Sequence, residues 1–419
     1  MIEKDLRDEL LQGKKDYMFP DVKMYFYNEP PIFSYGKMQY LYGVDGKKYT
    51  DFFAGVSVMI CGHSNEFILE RTIEQLKKLQ HKTIIYLDEN IVKLAKKLAE
   101  VLPGNINKTF FTCSGSEANE GAFLLARRYT NKEKFINIEN ALHGRTYLTM
   151  AATTIPMWKM DPYEPDIFYT AKGFWQEGVD LETSAKASVE SIKNILESHN
   201  DIAAFIVEPL QGNGGILTPP LWYYKEVKSL LEKHNVLMIV DEVQTGYART
   251  GKMFGIDNYD VVPDIMVTAK ALSGGFPIAT FSTTTEIAKV YNKASASTFG
   301  GNPVACANSL AILEYIEKEN LVDRSVELGK YLKEQLLTIS SNYIKEIRGM
   351  GLMLGIEITC ENANVRVDNI LEEMKNRGFI LGKSGVNRNV VVFQPPLVIE
   401  KSDIDNMVVE LKEVINLEF

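Results

Sequence analysis

Asp241 and Lys270 each close an apolar run: VLMIVDEVQTG places the acid after Val240, and DIMVTAKALSGG places the amine after Ala269. Each stands where a strand would release its last side chain. In an open α/β sheet, ligands collect outside the carboxyl ends of the strands, so an acid and an amine delivered there by neighbouring strands can face one ligand. A lysine amine can form a Schiff base with an aldehyde and later shuttle a proton as a general base. A carboxylate beside a pyridine nitrogen keeps that nitrogen protonated, because opposite charges at close range favour both charged forms. The ligand such a pair would share is pyridoxal phosphate. A turn cap and a solvated lysine would explain either residue alone. The glycine-rich surroundings, GYARTG after the acid and SGG after the lysine, favour the shared ligand.

The elements that must position this pair are legible as an alternation. From about residue 65 to 300, KTFFTC, EANEGAFLLARRYT, KFINIE, AAFIVEP, LWYYKEVKSLLEKHN, VLMIVDEV and DIMVTAK switch between strand-like and helix-like text. Such alternation predicts an α/β fold with a mostly parallel sheet covered by helices. The first fifty residues hold Pro20, Pro30 and Pro31 and then YLYGVDGKKYTDF, which reads as a hairpin around Asp45-Gly46. After Asn302-Pro303 come two long helical stretches, the strand GLMLGIEI, the helix NILEEMKNRG, the strand VVVFQPP and a closing helix. The expected division is an N-terminal arm over 1–64, a large cofactor-binding domain over 65–304 and a smaller α+β domain over 305–419.

At the end of KTFFTC the text runs into SGSEANEGAF, with Gly115 and Ser116 at the start of a helix. A helix N-terminus offers unpaired N–H groups and partial positive charge, and glycine lets a phosphate approach the backbone. Gly115 and Ser116 are therefore the candidate phosphate cradle. Ser116 as a mere cap of its own helix is the plainer alternative.

Composition narrows the partners. With 419 residues and 45% hydrophobic content, the chain can bury a large core. No run of about twenty apolar residues suggests a membrane span. The charged opening MIEKDLRDELLQGKKD lacks the apolar core of a secretion signal, so a cytoplasmic protein is expected. Net charge −9 disfavours nucleic acid as a partner. Cys61, Cys113, Cys306 and Cys360 are scattered without metal-ligand or disulfide spacing, so reduced thiols and no metal are expected.

FFTCSGSEANEGAFLLAR, ALHGRT, FIVEPLQGNGG, IVDEVQTGYARTGKMF, VPDIMVTAKALSGGFPIA, STFGGNPVACA and IRGMGLMLGIEI resemble the successive signatures of the class III aminotransferases, fold type I enzymes that use pyridoxal phosphate. The likeness runs from LYGVDGKKYTDFFAG to QPPLVI in the family's order. GKMQYLYGVDG and HKTIIYLDENIVKLAKKLAEVLPG resemble the alanine–glyoxylate aminotransferase 2 branch. The resemblance implies a homodimer with active sites at the subunit boundary. It also implies that Lys270 carries the cofactor, Asp241 faces the ring nitrogen, Gln244 donates to the ring's phenolic oxygen, and Thr298 reaches the phosphate of the neighbouring subunit. His143 could pack beside the ring or serve only the core.

The sequence departs from the family at two places. ALHGRT carries Leu142 where most members place an aromatic residue over the cofactor ring; leucine covers that face by dispersion alone. In VVVFQPP, Val392 replaces the arginine that clamps the substrate α-carboxylate. Arg388, four residues earlier, is about 13 Å away along an extended strand and a poor substitute. Arg145 in HGRT matches a carboxylate contact of some members, and arginine suits that task through its planar fork. Glu208 in FIVEPLQG resembles the partner of the missing arginine. It is expected either to meet a cationic or polar substrate group or to pair with another base. AGVSVMICGH suits an apolar pocket wall, or core.

The implied reaction moves an amino group from an amine or amino-acid donor to a 2-oxo acid, with an amine or ω-amino acid favoured as donor. A lyase, epimerase or decarboxylase on the same scaffold would keep every cofactor residue. A non-catalytic protein would have lost the lysine or the phosphate site, and this chain has lost neither.

Overall fold

The computed structural model describes residues 2–20, 26–161 and 165–419. The N-terminal part holds a helix, Ile2–Tyr17, and three strands: β1 (Phe33–Lys37), β2 (Tyr40–Gly43) and β3 (Lys48–Asp51). The turn from β2 to β3 falls at Asp45-Gly46 as the sequence predicts, with Gly46 at φ 82°, a left-handed conformation that glycine adopts without Cβ strain.

The central sheet has seven strands: β4 (Ile106–Thr112), β5 (Lys134–Ile138), β6 (Phe168–Ala171), β7 (Ile202–Val207), β8 (Leu237–Asp241), β9 (Ile265–Thr268) and β10 (Ala279–Thr284). Their order is β4-β10-β9-β8-β7-β5-β6. All pairings are parallel except those of β10, which lies antiparallel to both β4 and β9. The mostly parallel sheet is therefore as expected, with one reversed strand that the apolar alternation did not announce.

Both faces of the central strands β7, β8 and β9 are buried, which explains why they read as continuous apolar runs. In β8, Met238 and Val240 enter one core cluster, while Leu237 and Ile239 enter the other, beside Ala118, Ala122 and Phe123 of the helix Gly115–Thr130. Each such fully buried aliphatic side chain contributes about 1.5–3 kcal/mol.

The C-terminal part adds β11 (Ile344–Met350), β12 (Met353–Ile358), β13 (Phe379–Ile380), β14 (Gly382–Ser384) and β15 (Val390–Phe393). Four of them form an antiparallel sheet, β11-β12-β15-β14. The fifth, β13, pairs in parallel with β3 and so completes the N-terminal sheet. Among the described residues, no helix is long and apolar enough to cross a membrane.

Candidate active site

Three adjacent parallel strands release three ionisable side chains at one edge of the sheet. Glu208 follows β7, Asp241 ends β8, and Lys270 stands just beyond β9. At that same edge β4 hands over to the helix Gly115–Thr130, and β5 leads into the segment holding Leu142 and His143. These residues line a single cavity of about 340 Å³.

Asp241 is buried and organised by its neighbours. Its Oδ2 accepts from Nδ2 of Asn119 at 2.9 Å and lies 2.9 Å from Nδ1 of His143, while its Oδ1 accepts from the backbone N–H of Val243 at 3.1 Å. Asn119 also donates to the carbonyl oxygen of His143 at 2.8 Å. Two buried polar atoms beside this acid, Oδ1 of Asn119 and Nε2 of His143, meet no partner among the described residues.

The helix start is built as an open N-terminus. Its cap is Ser114, whose Oγ accepts from the N–H of Glu117 at 3.2 Å. Ser116 is thus not the cap. Its Oγ instead accepts from the N–H of Arg145 at 3.0 Å, joining the helix start to the HGRT segment. The N–H groups of Gly115 and Ser116 belong to the first turn, which has no intrahelical acceptors. Gly144 allows this closeness, because a Cβ there would lie 2.4 Å from Oγ of Ser116.

Lys270 opens the short helical turn Lys270–Leu272 with φ 45°, an uncommon conformation for a non-glycine residue. Burial pushes its amine below the usual lysine range, and the charges of Asp241 and Glu208 pull it partly back. A neutral amine is the nucleophilic form, so this environment favours attack on a carbonyl.

An acid, an amine and an open helix N-terminus facing one cavity is what the sequence motifs predict, and the comparisons name the group of proteins that shares it. The Aminotransferase class-III family model matches residues 28–415. The chain belongs to this family. It is 38% identical over 412 residues to the alanine–glyoxylate aminotransferase 2 homolog 2, mitochondrial, of Arabidopsis thaliana, covering 96% of this chain and 86% of that one. It is also 38% identical over 394 residues to the acetylornithine aminotransferase of Methanocaldococcus jannaschii, covering 92% and 93%. The crystal structure of a thermostable (S)-enantioselective omega-transaminase from Thermomicrobium roseum superposes with a TM-score of 0.89 at 28% identity, covering 97% of this chain and 98% of that one. The fold is that of the fold type I pyridoxal-phosphate enzymes, and class III aminotransferases transfer amino groups with that cofactor. Relatives with two different printed activities stand at the same identity, so the donor must be argued from the pocket.

On the substrate side, this class III aminotransferase differs from its expected pattern in a consistent way. Leu142 lines the cavity, and its N–H donates to Oε1 of Glu208 at 3.0 Å. The other Glu208 oxygen accepts from the N–H of Gly212 at 3.2 Å. No base pairs with Glu208 among the described residues. Burial pushes its carboxyl up to about 7; the charge of His143 and the two N–H groups oppose that rise, and the charge of Asp241 adds to it. Val392 is buried in an apolar cluster with Leu210, Ile216, Met353 and Val390. Arg388 lies outside the cavity, its guanidinium 5.3 Å from the ring of Phe26. Arg145 is exposed at the cavity wall, with no side-chain partner among the described residues. Thr298 is exposed and does not line this chain's own cavity.

Sequence reasoning missed Asn119 as the organiser of Asp241. The signal was present: Asn119 is four residues beyond Gly115, on the same helix face. It also missed Asn213, whose Nδ2 lies 3.5 Å from Oε1 of Gln244, and Gln394, whose Oε1 lies 3.4 Å from Nε2 of Gln244. Nothing in the local text marks those two.

Proposed function

We propose that pyridoxal phosphate binds in this cavity, with Lys270 as its covalent anchor, and that the preferred donors are amines or ω-amino acids. The observation that carries the reading is the delivery of Asp241 and Lys270 from neighbouring strand ends opposite the helix start at Gly115 and Ser116. The residues fit the cofactor: an acid with ordered donors suits a ring nitrogen, and unpaired N–H groups suit a phosphate. Bound there, pyridoxal phosphate would supply an aldehyde carbon and an electron-accepting ring. Asp241 would hold a proton at the ring nitrogen, and Gln244 would address the ring oxygen. Leu142 and His143 would border the ring. Nζ of Lys270 would take a proton from the donor's reacting carbon and deliver it to the carbon that was the cofactor's aldehyde.

The donor class follows from Val392 and Glu208. With an apolar cluster where an α-carboxylate clamp would stand, an α-amino acid loses its main anchor, whereas a primary amine does not need one. Arg145 at the rim suits a carboxylate remote from the reacting nitrogen, as in an ω-amino acid or the 2-oxo acid acceptor. The second copy of the chain completes the site by bringing Thr298 to the phosphate. Exposed Ile85, Tyr86 and Leu87 support this homodimer, as does exposed Phe299, whose ring lies 5.4 Å from that of His81. Large exposed apolar side chains such as these are what a subunit interface would cover.

Borohydride reduction of the holoenzyme followed by peptide mapping should tag Lys270. A panel of donors should rank amines and ω-amino acids above α-amino acids. A tag elsewhere overturns the anchor, and exclusive use of α-amino acids overturns the donor class.

A further inference from the structure

The GYARTG run that follows β8 carries a residue with no part in the reading so far. Arg249 is fully buried, yet its guanidinium meets only neutral oxygens. Nε donates to Oγ of Ser57 at 2.9 Å, and Nη1 donates to the carbonyl oxygens of Leu352 at 2.9 Å and Pro395 at 2.6 Å. Nη2 meets no partner among the described residues. Burial pushes this guanidinium below the usual arginine range, offset in part by the charge of Asp51. The Asp51 carboxylate is itself engaged, by His63 and by the N–H groups of Phe53 and Ala54. A buried cation without a carboxylate partner is a costly arrangement, so what its contacts hold in place is informative.

Two of the three contacts lead to Gln244. The hydroxyl of Ser57 accepts from Arg249 and donates to the carbonyl oxygen of Gln244 at 3.2 Å. Pro395 directly follows Gln394, whose Oε1 accepts from the Gln244 amide nitrogen at 3.4 Å. The contacts of the Gln244 side chain with Gln394 and Asn213 are long, 3.4 and 3.5 Å, and too weak to fix it unaided. Ser57 also ends a left-handed turn: Ala54, Gly55, Val56 and Ser57 have φ of 49°, 60°, 66° and 63°. A β-branched residue in that region is a backbone outlier, and such strain persists only where the surroundings over-determine it. Asp51 holds the start of the turn through two N–H groups, and Arg249 holds its end.

We infer that Arg249 is a positioning residue for Gln244, acting through Ser57 on one side and through Pro395 and Gln394 on the other. The inference rests on the reading that Gln244 addresses the cofactor ring. The guanidinium touches neither cofactor nor substrate. It fixes the backbone and the neighbour of the amide that does.

The test is the pH midpoint of the visible cofactor band in holoenzyme, read beside the cofactor dissociation constant and the melting temperature. Gln244→Ala should move the midpoint, because it removes the donor to the ring oxygen. Arg249→Met and Ser57→Ala should move it in the same direction by about half a unit or more. Adding Arg249→Met to Gln244→Ala should move it no further, since residues acting through one another are not additive. Single variants that lower the melting temperature while leaving the midpoint in place overturn the inference, as does a double variant that shifts by the sum. Should Arg249→Met fail to fold, Ser57→Ala carries the test alone, because it leaves the guanidinium in place. If Gln244→Ala itself leaves the midpoint unmoved, the reading of the site fails and the inference falls with it.

Discussion

Nδ1 of His143 lies 2.9 Å from Oδ2 of Asp241, and the imidazole is wholly excluded from solvent. An ionised carboxylate accepts and does not donate, so the Nδ1 that faces it carries a proton. Nε2 meets no partner among the described residues. The pair is thus oriented one way, with the histidine serving the acid. Removing that donor leaves a buried carboxylate short of one charge-assisted hydrogen bond, which costs about 1.5–3 kcal/mol. His143→Phe should therefore fold but bind pyridoxal phosphate about tenfold or more weakly, as measured by absorbance titration. Unchanged affinity and turnover would reduce His143 to packing.

Asp241→Asn tests the acid itself. The amide keeps the shape and can still accept from Asn119, but it carries no charge to hold a proton on a ring nitrogen. Turnover should fall by about 10²–10³, the usual cost of losing one preorganised electrostatic partner. The melting temperature should also fall, because the amide nitrogen cannot accept the N–H that one carboxylate oxygen now accepts. A variant that keeps wild-type turnover removes Asp241 from the chemistry.

Glu208 gives a pH prediction with a definite sign. Burial raises its carboxyl to about 7 in the folded chain, so the folded state holds that proton more tightly than the unfolded state does. Ionisation of Glu208 therefore costs stability. The cost is absent below the ordinary glutamate range, grows as pH rises, and is complete above about 7. Against Glu208→Gln, the wild type should lose relative stability between about pH 4.5 and 7 in chemical denaturation. Glu242, likewise raised to about 7 by burial, is present in both proteins and cancels in the difference. The same substitution should remove a transition near pH 7 from the kcat/KM profile with amine donors. Parallel stability curves would show that Glu208 titrates normally.

How far the sequence discloses this molecule depends on the kind of signal each residue leaves. Asp241 and Lys270 were legible because strand ends are marked by apolar runs, and buried parallel strands make those runs conspicuous. Gly115 was legible for the same reason. The reversed strand β10 left a weaker trace: it begins within FPIATFSTT, where threonine and serine dilute the apolar pattern, although both faces are buried. The edge strand β6, with only Ala171 fully buried, is weaker still. Asn213, Gln394 and Arg249 were not legible at all. Their roles arise from contacts between segments about 30 to 200 residues apart, as in the pairing of Arg249 with Ser57, and no local period records such contacts.

Val392→Arg tests the donor class and the vacancy it leaves for a base. Val392 is buried on β15 among Leu210, Ile216, Met353 and Val390, and Leu210 is two residues beyond Glu208. A guanidinium placed there would be costly to bury unpaired and cheaper beside a carboxylate. Val392→Arg combined with Glu208→Gln should therefore be less stable than Val392→Arg alone, by more than Glu208→Gln changes the wild type. That coupling would show that the two side chains meet. In the single variant, the ratio of kcat/KM for an α-amino acid to that for an amine should rise about tenfold or more, the worth of one bidentate carboxylate contact. If the ratio stays at its wild-type value while the stability coupling is present, the arginine reaches Glu208 but not substrate, and the α-carboxylate must be recognised elsewhere. Arg145 would then be the residue to replace, because its guanidinium stands at the cavity wall without a partner among the described residues.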